Sequence, residues 1–210
     1  MLKLNCDVKL RDTLLNKMML FIDNGTYKKD DLEKIKYGLE VIYVFITKSI
    51  IIFSVSYFLG IIKYSLLFAC LYAMLRTFAC GLHANKSWVC TIASLIIFII
   101  IPYLCKTVII PIQLKWFIGI LAILHFIAFA PADTKNRPII NTKKRKLLKI
   151  VSTSVAIIYF ILMIFVNNIV ISNAIACALL FQSIIISPLT YKIFKLPYKN
   201  YKNYKKGGTI

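Results

Sequence analysis

The chain has 210 residues, of which 60% are hydrophobic and 17% charged, and it carries a formal net charge of +19. Soluble domains hold about 45–50% apolar and about 25% charged residues, so this much apolar surface cannot be hidden inside one soluble domain of this size. A soluble enzyme, a disordered chain and a small secreted disulfide scaffold are excluded, and lipid is the expected solvent for much of the sequence.

Residues 1–36 are mixed, with eight basic and six acidic side chains. Leu10, Leu14, Leu15, Met18 and Ile22 recur at helical spacing among Lys9, Arg11, Asp12 and Lys17. That pattern predicts an amphipathic helix lying on a membrane face. The apolar run 18–22 is too short for the core of a signal peptide, and no cleavage site follows it. Long apolar stretches come next. Residues 41–62 contain one charge, Lys48; residues 64–82 contain Arg76; residues 87–105 contain none. Residues 107–130 hold Lys115 and His125, and 150–191 are uncharged throughout. At about 20 residues per crossing the last stretch fits two helices, with Asn167, Asn168 and Asn173 marking the turn.

The expected fold is all-α and polytopic, with about six transmembrane helices behind an N-terminal interfacial helix. The fourth span is the least distinct, because Pro111, Gln113 and Lys115 also suit an outer loop. Four crossings with re-entrant segments would leave the termini on the same side. The expected organisation is a cytoplasmic amphipathic segment 1–36, a membrane domain 37–191 with a basic cytoplasmic loop 131–149, and a basic tail 192–210. Tyr191, Tyr198, Tyr201 and Tyr204 stand among lysines ahead of Gly207 and Gly208. They read as a flexible tail at headgroup level.

Charge placement orients the chain. With both termini inside, 22 of the 27 basic residues are cytoplasmic and only Lys63 and Lys106 lie outside. Lys48, Arg76 and Lys115 fall within spans. This satisfies the positive-inside rule. The charge therefore reports topology and attraction to anionic lipid. No nucleic-acid-binding motif is present, and nucleic acid is not an expected partner.

The six cysteines are Cys6, Cys70, Cys80, Cys90, Cys105 and Cys177, none in a C-x-x-C pair. Only Cys105 falls near the oxidising face in this topology, so disulfides are not expected. With two histidines, His83 and His125, and no carboxylate cluster, the sequence supplies no metal ligand set. No cofactor is expected either.

The stretch 76–90 gathers Arg76, His83 and Cys90 at steps of seven. His83 falls in the expected last turn of the second span, where the helix end favours imidazolium. Ser87 is a candidate N-cap for the third span, placing Cys90 in its first turn. Beside a helix N-terminus and a positive imidazole, a thiol pKa falls from about 8.5 toward about 3.5–7.5. A thiolate–imidazolium pair is the working form of a cysteine nucleophile with a histidine base. Cys90 would attack a carbonyl, and His83 would protonate the leaving amine. The competing account is chance spacing with an interfacial histidine. Cys80, three residues before His83 and on the same expected helical face, is a rival nucleophile without the helix N-terminus. An arginine inside a span costs about 2.5–3.5 kcal/mol on insertion scales and tends to be functional. The competing reading of Arg76 is snorkelling to headgroups, which is also the reading of Lys48 and Lys115. His125 reads as a structural hydrogen bonder.

Arg76, Gly81, His83 and Cys90, in the order R-x4-G-x-H-x6-C, resemble the signature of the accessory gene regulator B (AgrB) family of membrane endopeptidases. The segment 130–138, Ala-Pro-Ala-Asp-Thr-Lys-Asn-Arg-Pro, is similar to that family's central loop. One departure is that the family usually shows two adjacent glycines before the histidine, and Cys80 occupies the first position here. The resemblance implies processing of a quorum-sensing propeptide at the cytoplasmic membrane of a Gram-positive bacterium. It implies Cys90 as nucleophile, His83 as general base and acid, and Arg76 and Gly81 in support. It further implies release of the precursor's C-terminal tail through a thioester, closure of a thiolactone or lactone, and a homodimer.

Lys143, Lys144, Arg145, Lys146 and Lys149 form a basic cluster able to draw an acidic peptide tail, or to serve lipid anchoring and topology instead. Asp133, Asn85 and Asn136 are candidates to orient His83, Asp133 only if the fold brings its loop across. Two other function classes fit the same composition: a small peptide permease or exporter, and a non-catalytic membrane partner such as an immunity protein. The first is disfavoured by the absence of an internal repeat.

Overall fold

Lys29, Asp30 and Asp31 open the first long helix, α1 (Lys29–Phe58), in the computed structural model, which describes residues 13, 17–19, 29–82, 92–134 and 138–201. The expected amphipathic helix over 10–22 lies largely outside the described residues; Thr13 and residues 17–19 are helical. α1 thus starts in charged sequence, ahead of the apolar boundary read at 41. It closes at Gly60, whose φ of 65° is left-handed, with the Ile61 amide donating to the Ser56 carbonyl at 2.9 Å.

After α2 (Ile62–Ala79) comes α3 (Ile92–Thr107), which widens into a π-turn over Ile96–Ile100 just ahead of Pro102. Proline has no N–H and its ring crowds the carbonyl one turn back, and a wider turn accommodates both. α4 (Ile112–Phe129) starts directly after Pro111. Asn141 caps α5 (Thr142–Phe165), its Oδ1 accepting the amides of Lys143 at 2.9 Å and Lys144 at 3.2 Å. Asn168 caps α6 (Ile169–Ile186) in the same way, and Ser187 caps α7 (Pro188–Ile193).

α1, α2, α4, α5 and α6 are long and apolar enough to cross a membrane, while α3 is apolar but shorter. The chain is an all-α membrane protein. Cys80 and Ala132 pair through an isolated parallel bridge.

Several sequence expectations are corrected. Gln113 and Lys115 belong to the first turn of α4, because Pro111 starts that helix and does not extend an outer loop. Asn173 is not in the turn between α5 and α6; it lies inside α6, buried, with Nδ2 donating to the carbonyls of Val108 at 2.7 Å and Cys105 at 3.2 Å. Residues 142–149 are the first two turns of α5 and not a loop. Lysine, arginine and leucine are good helix formers, and Asn141 supplies the start.

The chain divides into two units, residues 1–54 and 55–210. In the first, the Thr47 hydroxyl returns to the Tyr43 and Val44 carbonyls within α1. In the second, α6 is the hub, packed against α2, α3, α4 and α5. Its buried small residues, Ser172, Ala174, Ala176 and Ala178, let neighbouring helices approach closely. Phe68 and Tyr72 of α2 meet Phe98 of α3 edge-on at 5.9 and 5.8 Å, and Tyr72 also meets Phe181 of α6 at 5.6 Å. Gly119 of α4 leaves no room for a Cβ, because the Phe160 ring of α5 lies against it.

Lys115 does not snorkel. It is only 7% exposed, and its Nζ donates to Ser172 Oγ at 2.7 Å, which in turn donates to the Met163 carbonyl at 2.6 Å. Lys115, four residues after Pro111, is thus held at the start of α4 against α6. The His125 ring packs edge-on to Phe129 at 5.3 Å, and its buried Nδ1 has no hydrogen-bond partner among the described residues.

Candidate functional site

α2 carries an arginine in its last turn and no acidic residue, and Arg76 folds back over the helix end. Its Nη1 donates to the Cys80 carbonyl at 2.9 Å and its Nη2 donates to the Leu82 carbonyl. Carbonyls at a helix C-terminus lack intrahelical partners and carry partial negative charge. A planar, permanently charged fork holds the capping carbonyl of Cys80 and the Leu82 carbonyl two residues beyond it at once. The Cys80 carbonyl accepts a second donor, Gln182 Nε2 of α6, at 2.8 Å.

The chain leaves α2 through two left-handed residues, Cys80 at φ 56° and Gly81 at φ 120°. A Cβ at position 81 would stand 2.5 Å from Arg76 Nη1 and 2.8 Å from Ile185 Cγ2. Both the backbone angle and the space therefore call for glycine.

A second strand of chain is stitched to this turn. Ala130 and Pro131 are joined by a cis peptide bond. The Ala132 amide donates to the Ala79 carbonyl at 3.0 Å, and the Gly81 amide donates to the Ala132 carbonyl at 2.8 Å. Asp133 follows and is buried. Its Oδ1 accepts the Asn200 amide at 3.0 Å, its Oδ2 the Tyr201 amide at 2.8 Å, and its carbonyl the Tyr191 hydroxyl at 3.0 Å. The loop is thus brought across to the end of α2, but the Asp133 carboxylate is committed to the C-terminal segment. Residues 192–201 are correspondingly not a free tail; Tyr191 and Asn200 are buried against the loop. Burial pushes both the Tyr191 and the Tyr198 phenols up from their usual value. For Tyr191 the Arg76 guanidinium opposes that push and Asp133 adds to it.

Arg76 and Gly81 therefore meet, while His83, Asn85, Ser87, Cys90 and Asn136 lie outside the described residues. α2 ends at Ala79, and Gly81 and Leu82 are already non-helical. The expectation that the helix runs on to His83 is corrected, because the Arg76 fork and the Gly81 angle stop it four residues earlier. Cys80 is correspondingly the residue just past the helix, in a left-handed turn, and not a member of the helical face. Lys143, Lys144 and Lys146 are exposed on the first turns of α5, whereas Arg145 lies over the Tyr201 ring at 3.8 Å. Sequence reasoning missed Gln182 and Asn200. The signal for Gln182 was present: it is an amide in an otherwise uncharged, apolar span, where polar side chains are kept for a partner.

Residues 15–186 match the family model described as accessory gene regulator B. An AgrB-like protein of Clostridium acetobutylicum is 32% identical over 176 residues, covering 84% of each chain. An AgrB-like protein of Listeria welshimeri is 35% identical over 182 residues, covering 84% of this chain and 88% of the relative. The accessory gene regulator protein B of Staphylococcus intermedius is 33% identical over 164 residues, covering 72% and 85%. No solved structure matches.

Proposed function

This chain belongs to the accessory gene regulator B family, and we propose that it is a quorum-sensing component of the cell membrane that acts as a cysteine endopeptidase on a peptide precursor. Cys90 is the nucleophile and His83 the general base and acid. His83 takes the Cys90 proton, and the thiolate adds to the carbonyl of the bond preceding the precursor's C-terminal tail. The C–N bond breaks, His83 returns the proton to the leaving amine, and the tail departs. An acyl thioester remains on Cys90. An internal thiol or hydroxyl of the peptide then loses its proton to His83 and adds to the thioester, Cys90 leaves as thiolate, and a thiolactone or lactone closes. A site at the membrane interface limits water, which favours ring closure over hydrolysis.

The observation that carries this reading is the Arg76 fork. It holds the Cys80 carbonyl and the Leu82 carbonyl, the last groups before His83, against the end of α2. An arginine in a span that served only to reach headgroups would not spend both nitrogens on this turn. Gly81 keeps the space open for it. The exposed Lys143, Lys144 and Lys146 offer positive charge to an acidic precursor tail, with both termini and this end of the bundle cytoplasmic. The working unit is a homodimer in a Gram-positive membrane.

The test is co-expression with the candidate precursor and detection of the shortened product by mass spectrometry. Wild type and Cys80→Ala release the tail; Cys90→Ala and His83→Ala do not. Cleavage by Cys90→Ala at the wild-type rate, or its abolition by Cys80→Ala alone, contradicts the assignment.

A further inference from the structure

The Cys80 carbonyl receives donors from two different helices: Arg76 Nη1 from α2 at 2.9 Å and Gln182 Nε2 from α6 at 2.8 Å. A carbonyl oxygen has two lone pairs and accommodates both. The two donors do different things. Arg76 belongs to the helix whose end it covers, so it fixes the turn relative to α2 alone. Gln182 ties the same atom to the hub of the bundle, against which α2, α3, α4 and α5 all pack. Together they hold a turn that would not hold itself, since Cys80 sits at φ 56°, a left-handed conformation that side-chain-bearing residues keep only when their surroundings impose it.

Gln182 is fully buried, and its Oε1 has no partner among the described residues. An unsatisfied buried oxygen is a cost, so what the side chain contributes is its donor. That donor goes to the Cys80 carbonyl, three residues before His83. The peptide group between Leu82 and His83 is planar, and Arg76 Nη2 fixes its carbonyl. Loosening position 80 therefore loosens the plane from which His83 departs.

We infer that Gln182 is a positioning residue for the cleavage proposed above: its bond to the Cys80 carbonyl anchors the departure point of His83 to α6. The inference rests on the endopeptidase reading. Gln182 itself touches no reacting atom. It acts through Cys80, Gly81 and Leu82.

The experiment uses the full-length protein in membranes and two variants. Gln182→Met keeps the length of the side chain and loses its polarity; Gln182→Leu removes the donor with a branched apolar chain. The first measurement is alkylation of Cys90 as a function of pH, quantified by mass spectrometry. It reads only membrane-inserted molecules, so reduced accumulation does not blur it. The second is tail release, separated into kcat and KM. In wild type, Cys90 reacts near pH ~6, below an ordinary thiol. Both variants move that midpoint up by about one pH unit and lower kcat roughly tenfold with KM within about twofold. A purely structural role lowers accumulation and leaves the midpoint alone.

Wild-type midpoint and wild-type kcat in both variants overturn the inference. A wild-type enzyme whose Cys90 titrates as an ordinary thiol, or a Cys90→Ala variant that still cleaves, overturns the endopeptidase reading instead. The two failures are distinct.

Discussion

Arg76 and Gly81 occupy complementary space: the guanidinium Nη1 stands 2.5 Å from where a Cβ at position 81 would be. Gly81→Ala therefore meets two penalties, the φ of 120° and the displaced fork. Backbone strain of this kind costs of order 1–3 kcal/mol, and the Ile185 methyl on the other side blocks an easy escape. The expected outcome is loss of tail release by more than about tenfold with membrane insertion retained. Immunoblotting of the membrane fraction and mass spectrometry of the peptide check it.

Arg76→Lys separates the fork from mere charge. Lysine snorkels as well as arginine does, but a single ammonium cannot bridge the Cys80 and Leu82 carbonyls as the planar guanidinium does. A lost hydrogen bond to a charged group is worth about 1.5–3 kcal/mol. If that loss falls on the transition state, the lysine variant processes precursor about 10–150-fold more slowly. Wild-type rates in Arg76→Lys would return the residue to a headgroup role.

Asp133 ties the loop to the C-terminal segment through two backbone amides. Asp133→Leu removes both acceptors and leaves the Asn200 and Tyr201 amides unpaired. Lys192, Lys195 and Lys199 are exposed on that segment, so limited trypsin digestion of solubilised protein should clip it several-fold faster in the variant. Alkaline pH should loosen the same contact. The buried Tyr191 and Tyr198 phenols hold their protons more tightly folded than unfolded. A raised folded-state pKa contributes stability that is complete below about pH 10 and is lost as pH rises above it. Unfolding followed by tyrosine fluorescence in detergent should therefore show stability flat between pH 7 and 9 and falling above pH 10.

Lys115 and Ser172 make a pair of opposite predictions. Lys115→Met replaces a buried ammonium with an apolar chain of similar length and is expected to be neutral or stabilising, because the desolvation cost disappears with the charge. Ser172→Ala leaves that charge without its hydroxyl and exposes the loss as a destabilisation of about 1–3 kcal/mol. Thermal melting in detergent distinguishes them.

The helical membrane fold was legible because lipid demands long uncharged runs, and these stand out at any reading of 41–130 and 150–191. The details that failed were local. Pro111 reads equally as loop or as helix start, and only its position before an apolar helix decides. Asn173 looks like a turn residue in sequence, yet the orphan carbonyls of Cys105 and Val108 draw it inside. Lys115 looked like a snorkeller because spacing cannot reveal Ser172. At the site, Arg76 and Gly81 were visible through their pattern, and their contact explains why both are needed. Gln182 stood out only as an amide in an apolar span and Asn200 not at all, since the partner of each lies 67 or more positions away in sequence.

Tail release by the proposed route requires Cys90 to carry the acyl group. The direct measurement is the intact mass of the enzyme after a single turnover with a precursor whose ring-closing cysteine or serine is replaced by alanine, so that the thioester has nowhere to go. The predicted result is an adduct that adds the mass of the tail-less peptide less one water, mapped to Cys90, released by hydroxylamine and absent in Cys90→Ala. An adduct on Cys80, or tail release with no adduct at any cysteine, contradicts it.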